Sequence, residues 1–112
     1  MKRGNNIRRE LMEIVSTHYK PPDHHAEAKI ACAELLERLL ETSPNEGISC
    51  WPRRCWRLGY LNELSELKVA LMRENWCDAV AALMDLIHYR PVTFEPIRSS
   101  TIRLLRQYVN GG

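Results

Sequence analysis

The chain has 112 residues, of which 45% are hydrophobic and 27% charged, with a formal charge of +2 at neutral pH. That length suits one domain able to bury about two-thirds of its unfolded surface, and the mixed composition excludes a disordered or low-complexity chain. The small net charge excludes recruitment of a polyanion by bulk charge alone, since such binding rests on many phosphate contacts.

The basic N-terminus is interrupted by Glu10 and Glu13, so no secretory signal is expected. No run approaches the ~18 apolar residues needed to span a bilayer. The expectation is an intracellular protein of the cytoplasm or nucleus, without membrane association, whose four cysteines are thiols.

In chain order, Ile7, Leu11, Ile14 and Val15 recur at helical spacing behind Asn6, a good N-cap, and predict a first helix over about 6–19. Pro21 and Pro22 stop it, and Asp23 can cap a second helix running to about Thr42. Ala28, Cys32, Leu35, Leu36 and Leu39 share its apolar face, which Ile30 and Leu40 are expected to widen. From Ser43 to Gly59 neither helical nor strand periodicity is evident, and a long connector is expected there.

A third helix, about 60–73, sets Tyr60, Leu64, Leu67 and Leu71 on one stripe, supported by Leu61 and Ala70. Asn75 interrupts and can cap a fourth, 76–89, whose broad face holds Trp76, Ala79, Val80, Leu83, Leu86 and Ile87. The two make an αα-hairpin with a very short turn. A last amphipathic helix over about 99–109 carries Ile102, Leu105 and Val109. Val92-Thr93-Phe94 is too short for a strand and has prolines close on both sides.

Within the hairpin, Ala79, Leu83, Leu86, Ile87 and Pro91 follow Trp76 at offsets of three, seven, ten, eleven and fifteen residues. This order resembles the second helix of a tetratricopeptide-type repeat. The resemblance covers residues 60–91 and has no second copy in the chain; it implies a protein-binding scaffold, whose exposed face neighbouring helices or a partner must cover. More remotely, the run from Ala70 to Ala79 is similar to the opening helical hairpin of the TBP-associated helical-repeat subunit of the RNA polymerase I promoter-selectivity factor, which implies a regulatory role in transcription.

The most unusual passage is Cys50-Trp51-Pro52-Arg53-Arg54-Cys55-Trp56-Arg57. Tryptophan and arginine combine large contact area with directed donors and dominate interface hot spots. Trp51, Arg53, Arg54, Trp56 and Arg57 are therefore the candidate partner-binding residues, although tryptophans in a long connector also serve as its anchors to the core. Charge is segregated: residues 1–20 sum to +3, 21–46 to −4, 47–60 to +3, 61–90 to −2 and 91–112 to +2. Should the basic segments converge, Arg8, Arg9, Arg103 and Arg106 would join the connector arginines in a nucleic-acid-binding patch.

Metal and catalytic signatures are incomplete. Cys50 and Cys55 make only a marginal opening pair for a structural zinc site, and no second tight pair completes it. Cys55 lacks a positioned base, and the glycines are too scattered for a phosphate loop. No metal, cofactor or catalytic residue is assigned.

The sequence thus predicts an all-α, single-domain bundle of about five helices, with a core from Ile7, Leu11, Val15, Leu35, Leu36, Leu39, Leu64, Leu67, Leu71, Val80, Leu83, Ile87 and Leu105. The expected function is a non-enzymatic protein–protein interaction module, an adaptor or regulator, with self-association as a further option. The alternative is a nucleic-acid-binding regulatory protein using the basic N-terminus, connector and C-terminal helix.

Overall fold

A computed structural model of the chain describes residues 3–18, 25–43, 53–88, 91–95 and 97–110. Five α-helices follow one another: α1 Arg3–His18, α2 His25–Glu41, α3 Arg53–Met72, α4 Trp76–His88 and α5 Ile97–Leu105. A single 3₁₀ turn, Pro91–Thr93, stands where the strand-like Val92-Thr93-Phe94 lies, and α5 continues into a π-helical turn, Arg106–Asn110. Among the described residues there is no strand, as the absence of period-two patterning predicts.

Sequence and structure part most clearly at α3. The expected connector extends to Gly59, yet residues 53–59 are helical and α3 begins seven residues before Tyr60. Pro52 immediately precedes the helix, where a missing N–H costs nothing. Positions 56, 60, 64, 67 and 71 also form one unbroken series of three- and four-residue steps, so the Tyr60 stripe already starts at Trp56.

The α3–α4 turn is built from backbone chemistry. Asn75 N–H donates to the Ala70 carbonyl (2.8 Å) and Glu74 N–H to that of Leu71 (3.0 Å), the paired bonds of a Schellman ending. Glu74 takes the left-handed conformation this requires, at φ 54°, without being glycine. Asn75 then caps α4, its Oδ1 accepting from Asp78 N–H (3.1 Å) while its Nδ2 donates to the Asp78 carboxylate (2.7 Å). One residue thereby ends α3 and begins α4, which fixes the hairpin.

α2 is the hub, packing on α1, α4 and α5, while α3 lies against α4 and α5. The core draws Leu11 and Val15 from α1, Leu35, Leu36 and Leu39 from α2, Leu67 and Leu71 from α3, Val80, Leu83 and Ile87 from α4, and Leu105 from α5. Ile7 and Leu64, also expected in the core, are partly buried at its edge. Small residues fill α2 and α4 contacts: Ala28, Ala31 and Cys32 face the core from one helix, Cys77, Ala79 and Ala82 from the other. Such residues let helix axes approach closely. Trp76 is 7% exposed, as the hairpin-mouth position predicts, with Lys29 Nζ 5.3 Å from its ring centroid.

Three expected core-facing side chains are corrected. Ile30, Leu40 and Leu61 are exposed. Each residue turns the helix by about 100°, so Leu40 sits a full step beyond buried Leu39 and Ile30 lies on the far side from Cys32. The radius of gyration, 13.1 Å, matches the ~13 Å expected of one folded unit of this size.

Candidate functional site

α3 is the longest helix, 20 residues or about 30 Å. Its inner side carries Leu67, Ala70 and Leu71 into the core, with Tyr60 and Leu64 partly buried. The outward side is unusual, because Leu61, Val69 and Met72 are 49%, 42% and 59% exposed. With exposed Ser65 they follow steps of four, four and three residues, one continuous row about 16 Å long. Single exposed apolar side chains need no explanation; a row on one helix face marks a surface for contact.

The candidate partner-binding residues divide along this helix. Arg53, Arg54, Trp56 and Arg57 lie in its first two turns, while Trp51 and Cys50 lie outside the described residues. By register, position 56 shares the side of 60, 64 and 67, whereas 54 and 57 share the side of 61, 65 and 68. Residues 53–57 of the segment expected as one Trp/Arg loop are therefore a helical start, with positions 54 and 57 in register with the exposed row.

The other basic residues lie on different elements. Arg8 and Arg9 belong to α1, with Arg9 exposed; Arg103 is exposed on α5 and Arg106 in the π-helical turn. α1 packs on α2 and α4, α5 on α2 and α3, so the two pairs of arginines belong to different packing partnerships around α2. Next to Arg9, the α1–α2 side forms an open depression lined by Glu10, Glu13, Ile14, Thr17, Glu34 and Arg38. Arg38 reaches Glu10 at 3.4 Å and Glu41 at 3.3 Å, all three side chains being half-exposed or more. These ion pairs are each worth at most about 1 kcal/mol.

A cluster not expected from the sequence lies between α3 and α4. Carboxylate oxygens of Glu63, Glu66 and Asp85 all lie within 4.8 Å of one another. Glu63 is partly buried and its Oε1 has no hydrogen-bond partner. Burial first, then the charges of Asp85 and Glu66, push its carboxyl up to about 7, so near neutrality Glu63 is protonated in a large fraction of molecules. The i, i+3 pair Glu63 and Glu66 is legible in the sequence; the placement of Asp85 opposite them requires the hairpin.

Cys32 and Cys77 are buried and not joined in a disulfide. Burial, with a smaller contribution from Cys77, raises Cys32 to about 12, far from the thiolate a nucleophile needs. Cys55 lies in α3, and no helix among the described residues is long and apolar enough to cross a membrane. No family model matches the chain, and no curated protein or solved structure matches it either.

Proposed function

We infer that the chain is a non-enzymatic protein–protein interaction module, an adaptor or regulator, and that α3 is its contact helix. The observation that carries this reading is the exposed row of Leu61, Val69 and Met72, aligned with Arg54 and Arg57 on a helix whose other side is anchored in the core. A helix held rigidly by its neighbours can present apolar anchors without an ordering cost on binding. The tetratricopeptide resemblance of residues 60–91 implies the same scaffold role. Arginine in the first two turns supports a contact with both apolar and charge-assisted parts.

The test is affinity capture by the full chain and by a Leu61→Ser/Met72→Ser variant, with and without nuclease. Capture of a protein that resists nuclease and is lost in the variant supports the reading. Capture that nuclease abolishes and the variant retains overturns it in favour of nucleic-acid binding through Arg8, Arg9, Arg103 and Arg106, and such binding would weaken steeply along a logarithmic salt axis.

A further inference from the structure

α3 is anchored unevenly along its length. Its last turns bury Leu67, Ala70 and Leu71 and run into the Asn75 turn, so that half is fixed by both core and cap. Between Tyr60 and Glu66 no side chain is fully buried: Tyr60, Glu63 and Leu64 are partly buried, and Leu61, Asn62, Ser65 and Glu66 are exposed. A segment with few buried apolar contacts opens at lower free energy than the core beside it. This one meets α4 at the carboxylate cluster, where oxygens of Glu63, Glu66 and Asp85 lie within 4.8 Å of one another and the buried Oε1 of Glu63 has no hydrogen-bond partner.

Three carboxylates so placed repel one another when all are ionised, and burial adds to the cost at Glu63. α3 packs on α4 and α5. On α4, Asp85 belongs to the cluster and His88, one turn on, is exposed; on α5, Arg98 is turned to the end of α2 and Arg103 is exposed. On α3 itself, Tyr60 lies one turn before Glu63, Glu66 one turn after it, and Lys68 is exposed beyond. Burial, then the charges of Asp85 and Glu66, act on Glu63, and each disfavours its ionised form.

We propose that Glu63 is a pH-sensitive latch on the first half of α3: its proton holds residues 60–66 against α4, and its ionisation raises the population of a locally opened state in which 67–72 stay in the core. Opening takes the Glu63 carboxylate into water and away from Asp85, which relieves both penalties together. The closed state binds the proton more tightly than the open one, so its advantage is present at low pH and lost as pH rises. With Glu63 at about 7 when closed against an ordinary 4.5, opening increases up to about pH 7 and levels off above it.

Native-state hydrogen exchange of the full chain, read amide by amide from pH 5.5 to 8 and corrected for the intrinsic rate of exchange, tests the latch. Global unfolding also frees Glu63, so the local route is recognised by its lower free energy and by its insensitivity to low urea, since little surface is exposed. Protection at 60–66 is expected to lie at least tenfold below that at 67–72, to resist low urea, and to fall about tenfold between pH 6 and pH 8. Glu63→Gln is expected to abolish that fall and to exceed wild-type protection at pH 8; Asp85→Asn is expected to reduce it. Equal protection of 60–66 and 67–72 overturns the latch, because only global unfolding then exposes the segment. A wild-type profile flat with pH overturns it too, as does a fall that Glu63→Gln retains or that Asp85→Asn leaves undiminished.

Discussion

Arg98, at the start of α5, donates from one guanidinium nitrogen to the carbonyl of Leu39 in the last turn of α2, at 2.8 Å. The same nitrogen reaches the Thr42 carbonyl at 2.6 Å, and Nε lies 3.5 Å from Thr42 Oγ1. Carbonyls at a helix end have no partner within the helix, and a cation there also meets the negative end of the helix dipole. Glu95 holds the other side of the guanidinium at 3.8 Å, and accepts from both the N–H and hydroxyl of Ser99. One arginine therefore closes α2 and docks α5 against it.

Arg98→Leu is accordingly expected to lower stability by about 1.5–3 kcal/mol, the range for hydrogen bonds to a charged group, because the Thr42 carbonyl loses its charged donor at a part-buried site and the Leu39 carbonyl keeps only its bonds from Thr42. Arg98→Lys should recover only part of this, since an ammonium has one nitrogen for the two carbonyls and lacks the further ones that meet Thr42 Oγ1 and Glu95. Urea unfolding of the three proteins measures it. Equal stability of Arg98→Leu and wild type would sink the latch.

The α3–α4 turn makes opposite predictions for neighbouring residues. Glu74→Gly is expected to stabilise the chain by up to about 1 kcal/mol, because glycine takes φ 54° without steric cost while its greater freedom in the unfolded state offsets part of that gain. Asn75→Ala removes the α4 cap and is expected to cost about 0.5–2 kcal/mol. Thermal melts of both variants check the pair, and a destabilised Glu74→Gly would contradict the strained-cap account.

Trp76→Ala empties the largest apolar side chain of the α4 start and is expected to cost about 3–5 kcal/mol. Lys29→Ala should cost no more than about 1 kcal/mol, the scale of an exposed cation–π contact. Comparable losses from the two would mean that the ring depends on Lys29 and not on burial.

What could be read from the sequence depended on how local the signal was. Leu11 with Val15, Leu35 with Leu39, and Val80 with Leu83 and Ile87 repeat at helical spacing, and each pairing is buried. Asn75 was legible as a cap because its partner Asp78 is three residues away. The start of α3 was hidden because Trp, Arg and Cys between Pro52 and Tyr60 read as unpatterned when taken without the helix that follows. Arg98 and Leu39 are 59 positions apart, and the meeting of Asp85 with Glu63 and Glu66 needs the hairpin closed, so no window along the chain contains either. Ile30, Leu40 and Leu61 looked like core residues because composition alone does not report the angle at which a helix meets its neighbours.

The carboxylate cluster makes stability depend on pH in a definite direction. Glu63 has its carboxyl raised from 4.5 to about 7 in the folded chain, by burial and then by Asp85 and Glu66. Between those values the folded state binds more protons than the unfolded one, so unfolding free energy falls as pH rises. The contribution is fully present below about 4.5 and is lost as pH passes through about 7. The groups facing Glu63 are Glu66 on its own helix and Asp85 on α4, both acidic, so no cation among them compensates the charge gained. Glu63→Gln keeps the shape and removes the titration. Its stability is expected to vary less than wild type across this window and to exceed wild type above pH 7. Denaturant midpoints for both proteins from pH 4.5 to 8 measure the effect, and a wild-type stability rising relative to Glu63→Gln over that interval would show that Glu63 binds its proton more weakly in the folded chain than in the unfolded one.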